Sequence, residues 1–166
     1  MDKQELEISE EITELVKQDP ELVKKVNLMT TIPGVGKLSA VIVLAETNGF
    51  ELIKNKKQLV SYSGLDVKLK DSGTSVRSKP RISKKGNRHI RKAMYMPALA
   101  AIRHNQEHQT LFVRLVSKHG IKMKAAVAVQ RKILELMFSI FNSEKPFDKD
   151  YIQSTAKKQT GGTEND

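Results

Sequence analysis

The stretch Thr31-Ile32-Pro33-Gly34-Val35-Gly36-Lys37-Leu38-Ser39-Ala40-Val41-Ile42-Val43-Leu44-Ala45 decides how the chain folds. A Pro followed by two spaced glycines cannot continue a helix, so residues 31–36 form a turn. The apolar run 38–45 beyond it reads as a short buried helix, ended by Thr47-Asn48-Gly49. Upstream, Pro20 opens a second helix that runs to about residue 30, because Pro is tolerated in a first helical turn. The unit is therefore helix, glycine hairpin, helix. Glycines let successive N–H groups converge on one point, and the following helix begins there with unsatisfied donors of its own. Pro33, Gly34, Val35, Gly36 and Lys37 are thus candidates for holding a phosphate. A tight link between helices is the alternative.

Working outward, helical periodicity continues on both sides. Leu6, Ile8, Ile12 and Leu15 recur near a helical period among many Glu, predicting an acidic amphipathic helix over 2–16, with 1–19 as a linker element. Downstream, helices are expected over 54–62, 87–103 (with Pro97 inside), 109–118 and 121–141. The last carries Ala125, Val129, Ile133, Met137 and Ile140 and should form the spine of the core. Residues 64–86, rich in Gly, Ser and cations, read as an ordered loop or short hairpin. The expected fold is all-α, a helical bundle over 20–151 with one basic Gly/Ser loop. The tail 152–166 reads as disordered. A core without tryptophan and with only 5% aromatic residues must be built from aliphatic side chains, which suits packed helices.

Charge narrows the function. The net charge is +10, and the segment 54–92 alone holds thirteen Lys or Arg against Asp66 and Asp71. Charge so concentrated repels itself unless a polyanion is the partner, so DNA or RNA is the expected ligand. The absence of cysteine excludes disulfides and thiolate metal sites. No apolar run reaches the length needed to span a bilayer, and the acidic first 20 residues are unlike a signal peptide, so no membrane partner and a cytoplasmic location are expected. The spacing of a Walker A loop and the dinucleotide fingerprint are both missing, which leaves nucleotide hydrolysis unsupported.

The hairpin at 32–40 resembles the helix-hairpin-helix motif, which contacts DNA backbone without reading sequence. A more specific resemblance lies in Ser63-Gly64-Leu65, Asp71-Ser72-Gly73 and Arg81-Ile82-Ser83-Lys84-Lys85-Gly86-Asn87-Arg88-His89-Ile90-Arg91. Their order and spacing, downstream of a Pro-Gly-Val-Gly hairpin, resemble the C-terminal domain of the 110/116/902 family of insertion-sequence transposases. The likeness runs from about Thr30 to Tyr151. It implies a DNA transposase or recombinase domain in which Ser72 attacks a phosphodiester and forms a transient covalent link. A serine hydroxyl needs a proton acceptor, and the crowded phosphorus needs positive charge on its oxygens. Arg77, Arg81, Lys84, Lys85, Arg88 and Arg91 are the candidate cations, but no general base is evident nearby. The resemblance implies that the remaining help comes from an RuvC-like domain that binds magnesium, outside these 166 residues, and from a guide RNA. No cofactor or metal site is expected within the chain itself. The first helix then corresponds to a helical linker and is expected to mediate homo-oligomer formation.

Other readings stand beside this one. Asp71-Ser72-Gly73 is also ordinary turn chemistry. Ser63 and Ser83 fit structural roles, and Asn87 fits the N-cap of the helix that follows it. His104-Asn105-Gln106-Glu107-His108 matches a metalloprotease pattern but lacks a placed third ligand, so zinc is rejected. Tyr62 and Tyr95 are assigned to the core or to packing before base stacking. The alternative function is a stand-alone helix-hairpin-helix module, or a truncated mobile-element remnant, that binds nucleic acid without catalysis.

Overall fold

A computed structural model describes residues 3–68, 71–72, 76–77 and 81–148; the side chains of residues 3–6, 8, 9, 13, 68, 71, 72, 76, 77 and 81 lie outside that description. The expected disordered tail is likewise outside the described residues. Within them the fold is mostly helical, as the sequence predicts: α1 (Lys3–Lys17), α2 (Pro20–Met29), α3 (Lys37–Glu46), α4 (Lys56–Ser63), α5 (Arg88–His104), α6 (Gln106–His119) and α7 (Lys122–Ser143). Four strands of two residues lie between α4 and α5: β1 (Val67–Lys68), β2 (Asp71–Ser72), β3 (Val76–Arg77) and β4 (Arg81–Ile82).

Local chemistry explains the boundaries. Asp19 accepts hydrogen bonds from the Glu21 and Leu22 N–H groups, capping α2 just before Pro20. Asn55 caps α4 through the Gln58 N–H, and Gly64, in the left-handed region, ends it. Helix α6 starts earlier than the apolar pattern suggests because Asn105 caps it through the His108 N–H. Asn105 is also the residue on which α5 ends.

Helix α7 is the spine. Its Val129, Ile133, Leu134 and Met137 are buried against Ile90, Met94, Ala98 and Ala101 of α5. Helix α3 contributes Ala40, Val43 and Leu44 to the same core, and the hairpin contributes Ile32 and Val35. Phe50 closes one side, with edge-on ring contacts to Phe138 at 5.3 Å and Phe141 at 5.0 Å. The end of α7 is tied back to α2, where Glu144 accepts from Lys24 Nζ at 2.9 Å and pairs with Lys25 Nζ. Lys25 also donates to the Phe141 carbonyl at 3.0 Å. A few residues on, the Phe147 N–H donates to Thr31 Oγ1 at 2.8 Å, so the segment after α7 fastens the entrance to the glycine hairpin. Helix α1 packs on α2 and α3 and leaves Leu15 65% exposed.

Candidate nucleic-acid interface

The strands form two nested antiparallel ladders. Val67 pairs with Ile82 and Lys68 with Arg81, while further along Asp71 pairs with Arg77 and Ser72 with Val76. Of the ordered loop or short hairpin expected from the sequence, the described strands thus pair as a hairpin-like ribbon, with Ser72 as the last residue of β2. Residues 73–75 and the side chains of Ser72, Arg77 and Arg81 lie outside the description; the strand assignment is what is seen of those three.

The base of the ribbon is a dense set of internal bonds. The Ser83 N–H donates to the Asp66 carbonyl at 2.8 Å, Lys84 N–H to Gly64 at 3.1 Å, and Asn87 N–H to Tyr62 at 2.7 Å. The Ser83 hydroxyl donates to Asp66 Oδ1, and buried Ser63 donates its hydroxyl to the Val60 carbonyl, so both serines are structural as expected. Gly86 sits where a Cβ would lie 2.1 Å from the Tyr62 carbonyl oxygen and 2.4 Å from the Gly64 nitrogen. Only glycine allows these backbones to approach so closely.

The candidate cations divide here. Arg91 is half-buried and turned inward, its Nη1 donating to the Ser63 carbonyl at 2.7 Å and to Gly86 at 2.9 Å. It ties α5 to the ribbon's base. Lys84, Lys85, Arg88 and Lys92 are exposed. Asn87 caps α5 as expected, its Oδ1 accepting from the His89 and Ile90 N–H groups. Its Nδ2 donates to Glu46 Oε2 at 2.6 Å, which brings a carboxylate to a helix start otherwise crowded with cations. Nothing in the local sequence announces Glu46, which arrives from the far end of α3.

The glycine hairpin is built differently. Gly34 has φ +90°, and a Cβ there would lie 2.4 Å from the Pro97 carbonyl oxygen and 2.8 Å from the Ala101 nitrogen. The turn is therefore pressed onto α5 halfway along its length. Val35 is buried, Pro33 is half-buried, and Gly36 and Lys37 are exposed at the start of α3, which has no side-chain cap. The hairpin begins α3, whereas Glu46 at its other end meets the ribbon's base. Ten helical residues separate the two, about 15 Å at 1.5 Å per residue. The residues singled out in the sequence thus fall into two groups at opposite ends of α3.

His104 and His108 do not share a helix: His104 is exposed at the end of α5, while His108 is buried in α6 with Nδ1 2.7 Å from Asn105 Oδ1. Burial, with a smaller effect of Lys132, pushes the His108 pKa down. Among the described residues, no three His, Asp or Glu side chains converge to hold a metal, and no helix is long and apolar enough to cross a membrane. Neither tyrosine joins the core. Tyr62 and Tyr95 are 40% and 39% exposed.

Fold and site together define a helical domain with a strand-paired basic segment between α4 and α5, at whose base Lys84, Lys85 and Arg88 are exposed. The particular family follows from sequence comparison, in which residues 26–113, more than half of the chain, match the Transposase IS116/IS110/IS902 family. The chain belongs to that family of transposases. It is similar to the pilin gene-inverting protein of Moraxella bovis, 28% identical over 144 residues, which are 86% of this chain and 45% of that protein. The pilin gene-inverting protein of Moraxella lacunata gives the same figures. An uncharacterized 43.6 kDa protein of insertion element IS110 from Streptomyces coelicolor is 26% identical over 113 residues, 68% of this chain and 28% of that protein. The chain spans less than half the length of these curated relatives.

Proposed function

We propose that this chain is the DNA-binding, serine-bearing part of a transposase or recombinase, and that the ribbon between α4 and α5 is its working edge. The observation that carries this reading is the position of Ser72 at the last residue pair of β2, within a ribbon whose base exposes Lys84, Lys85 and Arg88. A strand of nucleic acid held on those cations through its phosphates would pass the serine.

In the proposed chemistry Ser72 Oγ forms an ester bond to a DNA phosphorus. The phosphorus–oxygen bond to one strand end breaks, and the departing oxygen keeps the electron pair and gains a proton. Arg77 and Arg81 of the ribbon, with Lys84 and Lys85, are the candidates to neutralise the phosphate oxygens. The hydroxyl's proton needs an acceptor from beyond the described residues. Magnesium and its acidic ligands, on this reading, belong to a separate domain of the family and have no donor set among the described residues here. A guide RNA is a second proposed ligand of the same basic edge. The glycine hairpin offers exposed Gly36 and Lys37 as a separate backbone contact of the helix-hairpin-helix kind.

The test is binding to labelled duplex DNA and to structured RNA across a salt series, with Arg81→Ala/Lys84→Ala/Arg88→Ala as comparison. Each lost phosphate contact should flatten the log–log salt slope by about 0.9 on duplex DNA, so the triple variant should lose about 2 to 3. Binding that ignores salt, or a slope unchanged in the variant, overturns the assignment of this surface.

A further inference from the structure

At the foot of the ribbon lies a groove of about 510 Å³ lined by Gln58, Ser61, Tyr62, Lys85, Gly86 and Asn87. We propose that this groove is a subsite for one unstacked nucleotide of a single strand, its base lying on the Tyr62 ring and its phosphate on Lys85. The proposal rests on the nucleic-acid reading above and goes beyond it by assigning a stacking platform and the form of strand that uses it.

Three observations carry it. First, the volume is that of a small-ligand site, and it opens where the ribbon joins α5. Second, the Tyr62 ring is 40% exposed although aromatic residues are scarce in this chain, and it is held in place: its hydroxyl donates to the Glu46 carbonyl at 2.9 Å. A half-exposed ring with a fixed orientation offers apolar area without a loss of side-chain freedom on binding. Third, the surrounding polar groups are divided in a telling way. The Gln58 amide is used up internally, accepting from the Lys54 N–H at 2.8 Å and donating to the Leu52 carbonyl at 3.1 Å. The Asn87 amide caps α5 and binds Glu46. The Ser61 hydroxyl and the Lys85 ammonium make no hydrogen bond or ion pair with any described residue, and both are exposed. Both side-chain amides are thus held by internal hydrogen bonds, whereas a cation and a hydroxyl suited to phosphate and sugar have no partner among the described residues. Such a subsite accepts any base, because every base has a stacking face.

A duplex cannot use the site without unstacking and unpairing a base, which opposes binding. Single strands and duplexes should therefore respond differently to Tyr62. In the experiment, fluorescence anisotropy would compare the full chain with Tyr62→Leu and Tyr62→Phe on a labelled single-stranded DNA, the matching RNA and a blunt DNA duplex. Tyr62→Leu should weaken single-strand binding about 5- to 100-fold and leave duplex binding within about twofold. Tyr62→Phe, which keeps the ring but loses its tether to the Glu46 carbonyl, should weaken single-strand binding less than Tyr62→Leu, by about 2- to 10-fold, and leave duplex binding within about twofold. The DNA and RNA arms show which strand the groove serves. Independently of any variant, a single strand carrying 5-iodouracil should photocrosslink to Tyr62 in the wild-type chain. Equal losses on strand and duplex, no loss on either, or crosslinks only elsewhere would overturn the subsite while leaving the basic edge intact. Failure of the wild type to bind any of the three would overturn the nucleic-acid reading together with it.

Discussion

The glycine hairpin and the basic ribbon look alike in sequence, each a glycine-punctuated turn with cations beside it, yet the fold uses their glycines and cations for different ends. In the hairpin, Gly34 lets the chain press onto α5, while Gly36 and Lys37 are exposed. In the ribbon's base, the close-packed glycines are Gly64 and Gly86, and most of the neighbouring cations stay exposed. The lesson is that a glycine beside a lysine does not by itself mark a phosphate site. One must know which glycine is consumed by packing. Gly34 and Gly36 are two residues apart and chemically equivalent in sequence, but one faces backbone atoms and the other open space.

That comparison can be broken most directly at Gly34. With φ +90° and backbone atoms 2.4 and 2.8 Å from where an alanine methyl would sit, Gly34→Ala has no flexible neighbour to displace. Strain and overpacking together should cost about 3 kcal/mol or more, read by chemical denaturation. Gly36→Ala, with an ordinary φ of −90° and nothing within 4 Å, should cost about 1 kcal/mol or less, the difference between glycine and alanine at an N-cap. Similar losses for the two would mean that the hairpin is not held by its contact with Pro97 and Ala101.

The ribbon's cations allow a comparison of the same kind. Arg91→Ala removes charge-assisted bonds to the Ser63 and Gly86 carbonyls and should cost about 2 to 3 kcal/mol of stability. Arg88→Ala, at an exposed position, should change stability by about 0.5 kcal/mol or less while weakening DNA binding. A thermal melt and a binding isotherm on each variant suffice. If Arg88→Ala is as destabilising as Arg91→Ala, the division between bonding and ligand-facing cations fails.

What the sequence makes legible follows from these distinctions. Periodicity locates the helices to within a few residues, and Asn87 marks the start of α5, because both depend on local spacing; the Asp19 and Asn55 caps emerge from the structure. The apolar pattern starts α6 three residues late, since Gln106, Glu107 and His108 carry no apolar stripe and the start is fixed by the Asn105 cap. Long-range pairings leave no local trace. Glu46 reaching Asn87, 41 residues away, and Arg91 reaching Ser63, 28 residues away, depend on how α3, α4 and α5 pack. The exposure of Tyr62 is hidden for the same reason, since a scarce aromatic residue is ordinarily claimed by the core. Ser72 can be singled out by its motif neighbours, whereas its place at the end of β2 comes from strand pairing with Val76.

The smallest expected effect sharpens the contrast between the two ends of α3. The hairpin end is tethered by the segment after α7, through Glu144 to Lys24 and Lys25 and through Phe147 to Thr31. Hydrogen bonds from Lys25 and Lys24, with their charges, hold the Glu144 carboxyl down from its ordinary 4.5 to about 2. A folded-state pKa below the unfolded one means that the tether contributes fully above pH 4.5 and is lost as the pH falls toward 2. Being largely exposed, the pair is screened by solvent and salt, so the gain is modest. Glu144→Gln should therefore melt slightly below the wild type at neutral pH, and the gap should close on acidification through that window. A gap that persists at pH 2, or that never opens at neutral pH in low salt, would show that the carboxylate does not hold the hairpin end of the molecule.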